Sequence, residues 1–545
     1  MKIKSLILAM AACAGLFSAC SNELTDEVNG GNETTTDVKD AYASVSFVMP
    51  NVAGTRATPT PGQGGDGTEV GSDSENAFDN VKVLLFKDGV LLTEYKELKK
   101  SDFAKTQEGS DIVYTTTKDI NVASGTYKVY VVLNPTPNFT VQENVTTLTA
   151  FQAMAETATQ GQGEYCRTNN FMMTNADVIE NTEIKQENIK GNAKKIKVHV
   201  ERIAAKIAYT KAHDSYSFTD SQGNKITVTF DAFKVINTRN SAYNLRRVGM
   251  NQNDVTIGGK ETGNNYVIEN KWAEKATYST KVFEDNYSRK ASQDYVAFRA
   301  LTATGNEAQT LAYCMENTML KDMQLNGYST GIIFRAKATV EGITSAEENY
   351  KGDLYKYEGK FYTSLVDLVK SANKDWNGTD ETLTNDILKI KTRGEVSVED
   401  YLKGINNIAA LEDFGVDYFV QGYCYYTYWL RHANNNDKTM GIMEFAIVRN
   451  NVYKVTINTV GAMGKTNSGT VGPKDPAKPG EGEVDNPDPS NPNPEMPGEV
   501  VPNPEPTDPV IPFEPENPDE SNETYLNVSV YVNPWIVRNN DIDFN

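Results

Sequence analysis

Ala43-Ser44-Val45-Ser46-Phe47-Val48-Met49 sets the reading of the whole chain. Ala43, Val45, Phe47 and Met49 alternate with Ser44, Ser46 and Val48, the period of two that a strand with one buried face requires. The habit recurs along the body. Val81-Lys82-Val83-Leu84-Leu85-Phe86 reads as a strand, and Thr126-Tyr127-Lys128-Val129-Tyr130-Val131-Val132-Leu133 as another, closed by Asn134-Pro135, where proline stops ladder pairing. Ile196, Val198 and Val200 alternate before a second run to Ile207. Further strands are expected at 226–236, 331–340, 354–363, 417–430, 442–447 and 452–460, all rich in the aromatic and β-branched residues that suit a pleated, half-buried surface. Helices are few. Residues 147–157 place Leu148, Phe151 and Met154 on one face, and Ser397 caps a helix through about Leu411. Many strands and few helices predict an all-β chain of antiparallel sandwiches with helical insertions.

Composition narrows the function. The 545 residues leave room for two or three domains, and 39% hydrophobic and 10% aromatic content supplies their cores. A formal charge of -20 repels phosphate backbones, so no nucleic-acid partner is expected. Three histidines (His199, His213 and His432) are thin material for a metal site or general-base catalysis, and His432 reads as part of a loop after the strand 417–430. Gly62-Gln63-Gly64-Gly65-Asp66-Gly67 fits a dinucleotide-binding string, yet it lies among prolines with no strand before it. No HExxH, Walker A or GxSxG motif occurs. No catalytic residue, metal site or cofactor is expected, and the chain is not read as an enzyme.

The amino end carries an address. Lys2 and Lys4 precede the apolar run 5–17, which ends in Ser18-Ala19-Cys20. So short an apolar core is a signal peptide rather than a span. Small residues directly before a cysteine resemble the bacterial lipobox, whose cysteine becomes the lipidated amino terminus. Acidic residues after Cys20 (Glu23, Asp26 and Glu27) resemble the surface-export signal of Bacteroidetes lipoproteins. Of the remaining cysteines, Cys166, Cys314 and Cys424 allow at most one disulfide, and Cys424 reads as a buried free thiol.

The carboxyl end poses a puzzle. Residues 472–520 repeat Asn-Pro, Asp-Pro and Glu-Pro steps, a composition that in polyproline II geometry, at ~3.1 Å per residue, reaches on the order of 100 Å. One more strand follows. Leu526, Val528, Val530 and Val532 alternate with polar neighbours, and Pro534-Trp535-Ile536-Val537 comes next. A lone amphipathic strand must add to a sheet, in its own molecule or in another. The strand 43–49 is complementary: it stands before Gly54-Thr55-Arg56-Ala57, where Arg56 is the only arginine ahead of Arg167 in exposed, polar sequence open to proteases. A cut there detaches the body from its lipid anchor and frees 43–49 to leave its sheet. A neighbour's last strand has the same period. Burying four such side chains is worth roughly 6–12 kcal/mol before entropy losses. The contact is head-to-tail and propagates into a fibre.

These pieces together resemble the Mfa-type minor fimbrillins of Bacteroidales, relatives of the FimA-type fimbrillins. The matching stretches run in order along the chain: the signal ending at Cys20; Ser46-Phe47-Val48-Met49-Pro50 with Thr55-Arg56-Ala57; Lys128-Val129-Tyr130-Val131-Val132-Leu133-Asn134; Val200-Glu201-Arg202; Val448-Arg449-Asn450-Asn451-Val452-Tyr453; the Pro-rich linker; and Val532-Asn533-Pro534-Trp535. The resemblance implies two transthyretin-like β-sandwich domains plus a C-terminal donor strand. It implies an outer-membrane lipoprotein precursor cut between Arg56 and Ala57 by an arginine-specific protease, then an extracellular fimbrium serving adhesion. It implies a removable strand (Ala43, Val45, Phe47, Met49) replaced by a donor strand (Leu526, Val528, Val530, Val532, Trp535) from the next copy of the chain, with anchor and tip subunits as further partners. The expected layout is a signal peptide at 1–19, a lipidated propeptide at 20–56, sandwiches at 57–205 and 206–465, a linker at 466–523 and the donor strand at 524–545. The alternative is a surface-tethered glycan-binding lipoprotein with Tyr423, Tyr425 and Trp429 as an aromatic platform, although those three side chains read first as core.

Overall fold

The computed structural model describes residues 39–49, 71–108, 111–157, 165–259, 261–262, 264–276, 287, 298–305, 307–324, 328–345, 350–364, 367–368, 371, 416–433, 440–466, 526–531 and 536–537. The fold is all-β, with short helices between the strands.

The first sheet has ten strands: β1 (Ala41–Met49), β2 (Asn80–Lys87), β3 (Leu91–Lys99), β4 (Phe103–Glu108), β5 (Asp111–Thr116), β6 (Ile120–Val122), β7 (Gly125–Leu133), β8 (Met173–Asn175), β9 (Thr182–Ile184) and β10 (Lys194–Arg202). Its order is β3-β2-β7-β8-β10-β1-β5-β4, with β9 also on β7 and β6 also on β1. Strand β10 turns the corner: residues 194–199 pair with β1, and 200–202 pair with β8. The sheet thereby curls, and one core takes Val83, Leu85, Val129 and Val131 from one limb and Val45 and Phe47 from the other. Alternation along each strand delivers these side chains inward. At the end of β7, Asn134 takes a left-handed turn (φ 48°), which asparagine tolerates. Its amide donates to the Ala77 and Phe171 carbonyls and its oxygen accepts from Asp79 N–H, so the run ending in Asn134 is a built corner.

The second core lies between two five-stranded sheets. Its strands are β11 (Ala205–Thr210), β12 (Tyr216–Thr219), β13 (Lys225–Ile236), β14 (Gln309–Cys314), β15 (Gly331–Val340), a small sheet of β16 (Leu354–Tyr357), β17 (Lys360–Tyr362) and β18 (Val416–Phe419), then β19 (Tyr423–Trp429), β20 (Asn451–Val460), β21 (Leu526–Tyr531) and β22 (Ile536–Val537). One face is β14-β11-β20-β21, with β22 also on β20; the other is β12-β13-β15-β19, with the short strand Arg299–Ala300 also on β13. Tyr209 meets Phe334 across the gap at 5.6 Å between ring centroids, and Tyr216 donates to the Ile457 carbonyl.

The two cores change over between Ala204 and Ala205. A buried polar layer lies there. Arg202 donates to the Glu75 carbonyl, Asn76 and Asn450, while Asn450 N–H donates to the Ala204 carbonyl. Arg449 forks onto Glu316 with two 2.7 Å bonds and also donates to the Tyr243 and Asn244 carbonyls. The two arginine-bearing stretches singled out in the sequence thus meet in space. Glu75 belongs to a one-turn helix (Asp73–Asn76) capped by Ser72, whose hydroxyl accepts from Glu75 N–H while Glu75 accepts from Ser72 N–H. Desolvation works against this carboxylate, but Lys206, Tyr313 and Ser72 hold it below its ordinary range.

Four sequence expectations are corrected. The helix at 147–157 is only Leu148–Gln152, and Ala155–Thr157 is a strand. The strand at 354–363 is the hairpin of β16 and β17, because Gly359 turns with φ 78°. The strand at 417–430 is broken by a 3-10 turn, Val420–Gly422. Residues 442–445 form turns, where Arg431 and the Gly441 N–H bind the Glu444 carboxylate, and Ile447 makes only a single β-bridge to Asn317. The expected helix from Ser397 lies outside the described residues.

Candidate functional site

Strand β1 is the first half of the candidate site. It sits inside the ten-stranded sheet, parallel to β10 (Ala43↔Lys194, Val45↔Ile196, Phe47↔Val198) and antiparallel to β5 and β6. Ala43, Val45 and Phe47 are 0% exposed and Met49 is 4% exposed. The Phe47 ring lies 5.2 Å from Phe78, 5.1 Å from Phe103 and 5.4 Å from Tyr114. Burying Val45, Phe47 and Met49 is worth roughly 4.5–9 kcal/mol as an upper estimate. On the other face Ser46 shares a 2.8 Å hydrogen bond with Thr115. The four residues read as a removable strand are therefore central to the first core, and taking them out exposes an apolar groove with ladder edges on both sides.

The amino end of β1 is clasped by charge and hydrogen bonds. Lys39 pairs with Glu94 at 2.8 Å. Asp40 accepts from the Ser124 N–H (2.6 Å), the Ser124 hydroxyl (3.0 Å) and the Gln186 amide (2.6 Å). The Ser124 N–H first, then Gln186, hold this carboxyl below its ordinary range against desolvation. Ser124 and Gln186 also line an open cavity with Gly125, Thr126, Glu183, Ile184, Lys185 and Glu187. Sequence reading missed this clasp, because Asp40, Ser124 and Gln186 come together only through the sheet.

The second half is the chain's last strand. β21 pairs antiparallel with β20, Val455 opposite Val530 and Val460 opposite Leu526, and β22 pairs parallel with it through Asn451↔Ile536 and Val452↔Val537. Leu526, Val528 and Val530 thus form an edge strand of the second sandwich in their own chain, in a different sheet from β1. Cys20, Arg56, Ala57, Val532, Trp535, the linker after Thr466 and the glycine string at 62–67 lie outside the described residues.

The other singled-out side chains have structural places. Cys166, Cys314 and Cys424 are buried thiols outside any disulfide, and burial pushes the Cys424 thiol up to about 11. His432 follows β19 as read, but its ring is buried between the Tyr453 hydroxyl (2.9 Å) and Glu261 (3.0 Å). The reading of Tyr423, Tyr425 and Trp429 as core holds for Tyr423, which is buried, and is corrected for Tyr425 and Trp429, which are half-buried. The pleat of β19 sends Cys424, Tyr426 and Tyr428 into the core, while the other three share the outer face with Arg335, 4.6 Å over the Tyr423 ring. Among the described residues, no three His, Cys, Asp or Glu side chains converge as a metal site needs.

Two family descriptions match the chain. Residues 43–230 match the major fimbrial subunit protein (FimA), and residues 417–541 match the C-terminal region of the major fimbrial subunit protein type IV, fimbrillin. No curated protein matches. Among solved structures, a fimbrilin (FimA) from Porphyromonas gingivalis is similar at 12% identity and TM-score 0.38, covering 79% of this chain and 93% of that one. The tip fimbrial protein Mfa3 from Porphyromonas gingivalis is similar at 11% identity and TM-score 0.30, covering 77% and 95%. The fimbrial anchor protein Mfa2 of that organism is similar at 8% identity and TM-score 0.20, covering 42% and 76%.

Proposed function

The chain belongs to the fimbrillin family of Bacteroidales, and on that footing we propose that it is a stalk subunit of a cell-surface fimbrium, assembled by strand replacement between copies. As a fimbrial subunit it is a structural component of an extracellular appendage that serves adhesion, and its role is mechanical rather than catalytic. It is exported as an outer-membrane lipoprotein through Cys20, and an arginine-specific protease cuts after Arg56. The sandwiches span 57–205 and 206–465, and the linker 466–523 carries the donor strand 524–545. Its partners are further copies of itself, with an anchor subunit below and a tip subunit above.

One observation carries this reading: the inward residues Ala43, Val45, Phe47 and Met49 of β1 are buried inside the first sheet, and Arg56 follows the strand by seven residues. Before the cut, the strand is held by the chain as well as by its contacts. After it, only non-covalent contacts hold the strand, and a neighbour's strand competes for the same groove. The edge position of β21 supports the donor role, because an edge strand leaves its sheet with one ladder broken and the second core otherwise closed.

The test is amino-terminal sequencing of protein sheared from the cell surface, beside an Arg56→Ala strain. A start at Ala57 in a heat-resistant ladder, with the variant monomeric and lipidated, is the expected result. A surface form that still begins at lipidated Cys20, with no ladder, overturns it. The half-buried outer face of Tyr425 and Trp429 favours the second reading, a tethered glycan-binding protein, which glycan pull-down of the unprocessed form tests.

A further inference from the structure

The strand-replacement reading leaves open which way the incoming strand points and what fixes its register. The two ends of the chain answer from their own residues. Written in the same direction, Asp40-Ala41-Tyr42-Ala43-Ser44-Val45-Ser46-Phe47-Val48-Met49 runs beside Glu523-Thr524-Tyr525-Leu526-Asn527-Val528-Ser529-Val530-Tyr531-Val532. Tyr42 meets Tyr525, Val45 meets Val528 and Ser46 meets Ser529 as identities. The acid Asp40 meets the acid Glu523, the small polar Ser44 meets Asn527, and apolar Phe47 and Met49 meet valines. The likeness reaches the outer face at Tyr42, Ser44 and Ser46, while buried Ala41, Ala43 and Val48 meet the larger Thr524, Leu526 and Tyr531. A shared apolar period alone does not produce the outer-face likeness, because it leaves that face unconstrained.

The reversed direction fares worse. With Leu526 in the place of Met49, Asn527 replaces Val48, which is 3% exposed, and Trp535 takes the place of Asp40. A buried amide without a partner is unfavourable, and the three donors on Asp40 lose their acceptor. In the forward direction Val48 is replaced by Tyr531, whose ring is apolar and whose hydroxyl sits at its tip.

We propose that the last strand of a second copy of this chain enters the vacated groove in the same direction as β1, parallel to β10, with Glu523 taking over the hydrogen bonds that Ser124 and Gln186 give to Asp40. This rests on the strand-replacement reading and adds its polarity, its register and its specificity contact. When β1 leaves, the Ser124 N–H, the Ser124 hydroxyl and the Gln186 amide lose a carboxylate acceptor together. They form a receptor for one acidic side chain at the mouth of the groove. The cavity these residues line is open, with about 590 Å³ of space, which accommodates the one methylene by which glutamate exceeds aspartate. The apolar period alone permits two-residue slips that keep the core face inward; a single charged contact at one end forbids them. Ser529, in the place of Ser46, inherits the hydrogen bond to Thr115.

Cysteine pairs in fibre-forming, fully processed protein test the direction. Ser44 lies opposite Lys195 and Val48 opposite His199, so Asn527→Cys reaches Lys195→Cys in the forward register and His199→Cys in the reverse one. Opposed positions on neighbouring strands bring the two cysteines close enough for oxidative cross-linking, and the native cysteines are buried and do not compete. The expected result is an oxidation-dependent, intersubunit ladder with Asn527→Cys/Lys195→Cys and none with Asn527→Cys/His199→Cys. Glu523→Gln is expected to lower the temperature at which the native ladder collapses, and Glu523→Asp to restore most of it. A cross-link to position 199, or an unchanged collapse temperature in Glu523→Gln, overturns the proposal while strand replacement stands. A parent protein that keeps residues 20–56 and forms no ladder overturns both.

Discussion

Phe47→Ala separates the precursor from the fibre. The ring is fully buried and packs edge-on or stacked against Phe78, Phe103 and Tyr114, all within 5.4 Å between centroids. Truncating a buried phenylalanine removes its transfer free energy and leaves a cavity that a strand paired on both edges collapses poorly; the expected loss is about 3–5 kcal/mol. For a domain of this size each kcal/mol moves the midpoint by ~2–4 °C, so the precursor's first core is expected to melt roughly 6–20 °C lower. Under the proposed strand replacement the substituted strand is gone from the fibre, and Val530 takes its place in the groove. The assay is paired calorimetry of uncut protein and of sheared fibres from the same strain. A drop in the uncut protein with no shift in the fibres is expected. Fibres that melt lower by the same interval show that residue 47 is still in the groove and refute the reasoning, and an unshifted precursor refutes the packing.

Three other predictions follow from the two cores. Arg449→Ala removes a buried fork that bonds Glu316 and two carbonyls, leaving a buried carboxylate unpaired; urea unfolding is expected to show a loss of about 3–5 kcal/mol. Burial raises the Glu156 carboxyl above its ordinary value of 4.5, opposed by hydrogen bonds from Thr136 and Asn244. The folded state then holds a proton more tightly than the unfolded chain, so this group's contribution is full below about pH 4.5 and fades as pH rises through the raised value. Glu156→Gln is expected to stabilise the protein at neutral pH and to flatten that slope in melts between pH 4 and 8, with little change at the acid end. Gly331 lies under Trp429, and an added Cβ would come within 2.8 Å of its ring, so Gly331→Ala is expected to lose about 1–3 kcal/mol by the same urea assay.

The sequence made the strands legible where one face is buried and one is wet. β1 stands where its period of two places it, and β2, β7, β13, β15 and β20 stand where their aromatic and β-branched runs place them. It misled where apolar residues serve turns. Ile442, Met443 and Phe445 look like a strand, but Arg431 and Gly441 bind the Glu444 carboxylate and fold the segment into turns. Tyr423, Tyr425 and Trp429 carry the same period as their core neighbours, and only pairing with β15 reveals which set faces inward. The clasp on Asp40 was illegible for a different reason. Its donors come from residues 84 and 146 positions away, and nothing local marks Ser124 or Gln186 as receptors. The motifs around Arg202 and Arg449 were visible as strings, yet that they touch through Asn450, 248 residues apart in sequence, belongs to the tertiary structure alone.

A pull along the fibre would reach each subunit through the strand lying in its first sheet, in the place β1 occupies in the precursor. That place is bordered by β10 on one side and by β5 and β6 on the other, with hydrogen bonds running across the strand's own axis. Tension applied along such a strand loads the bonds of both ladders at once, as in shearing a riveted lap joint, whereas an edge strand pulled outward fails one rung at a time. Survival under flow is then set by the rate of forced extraction rather than by equilibrium affinity.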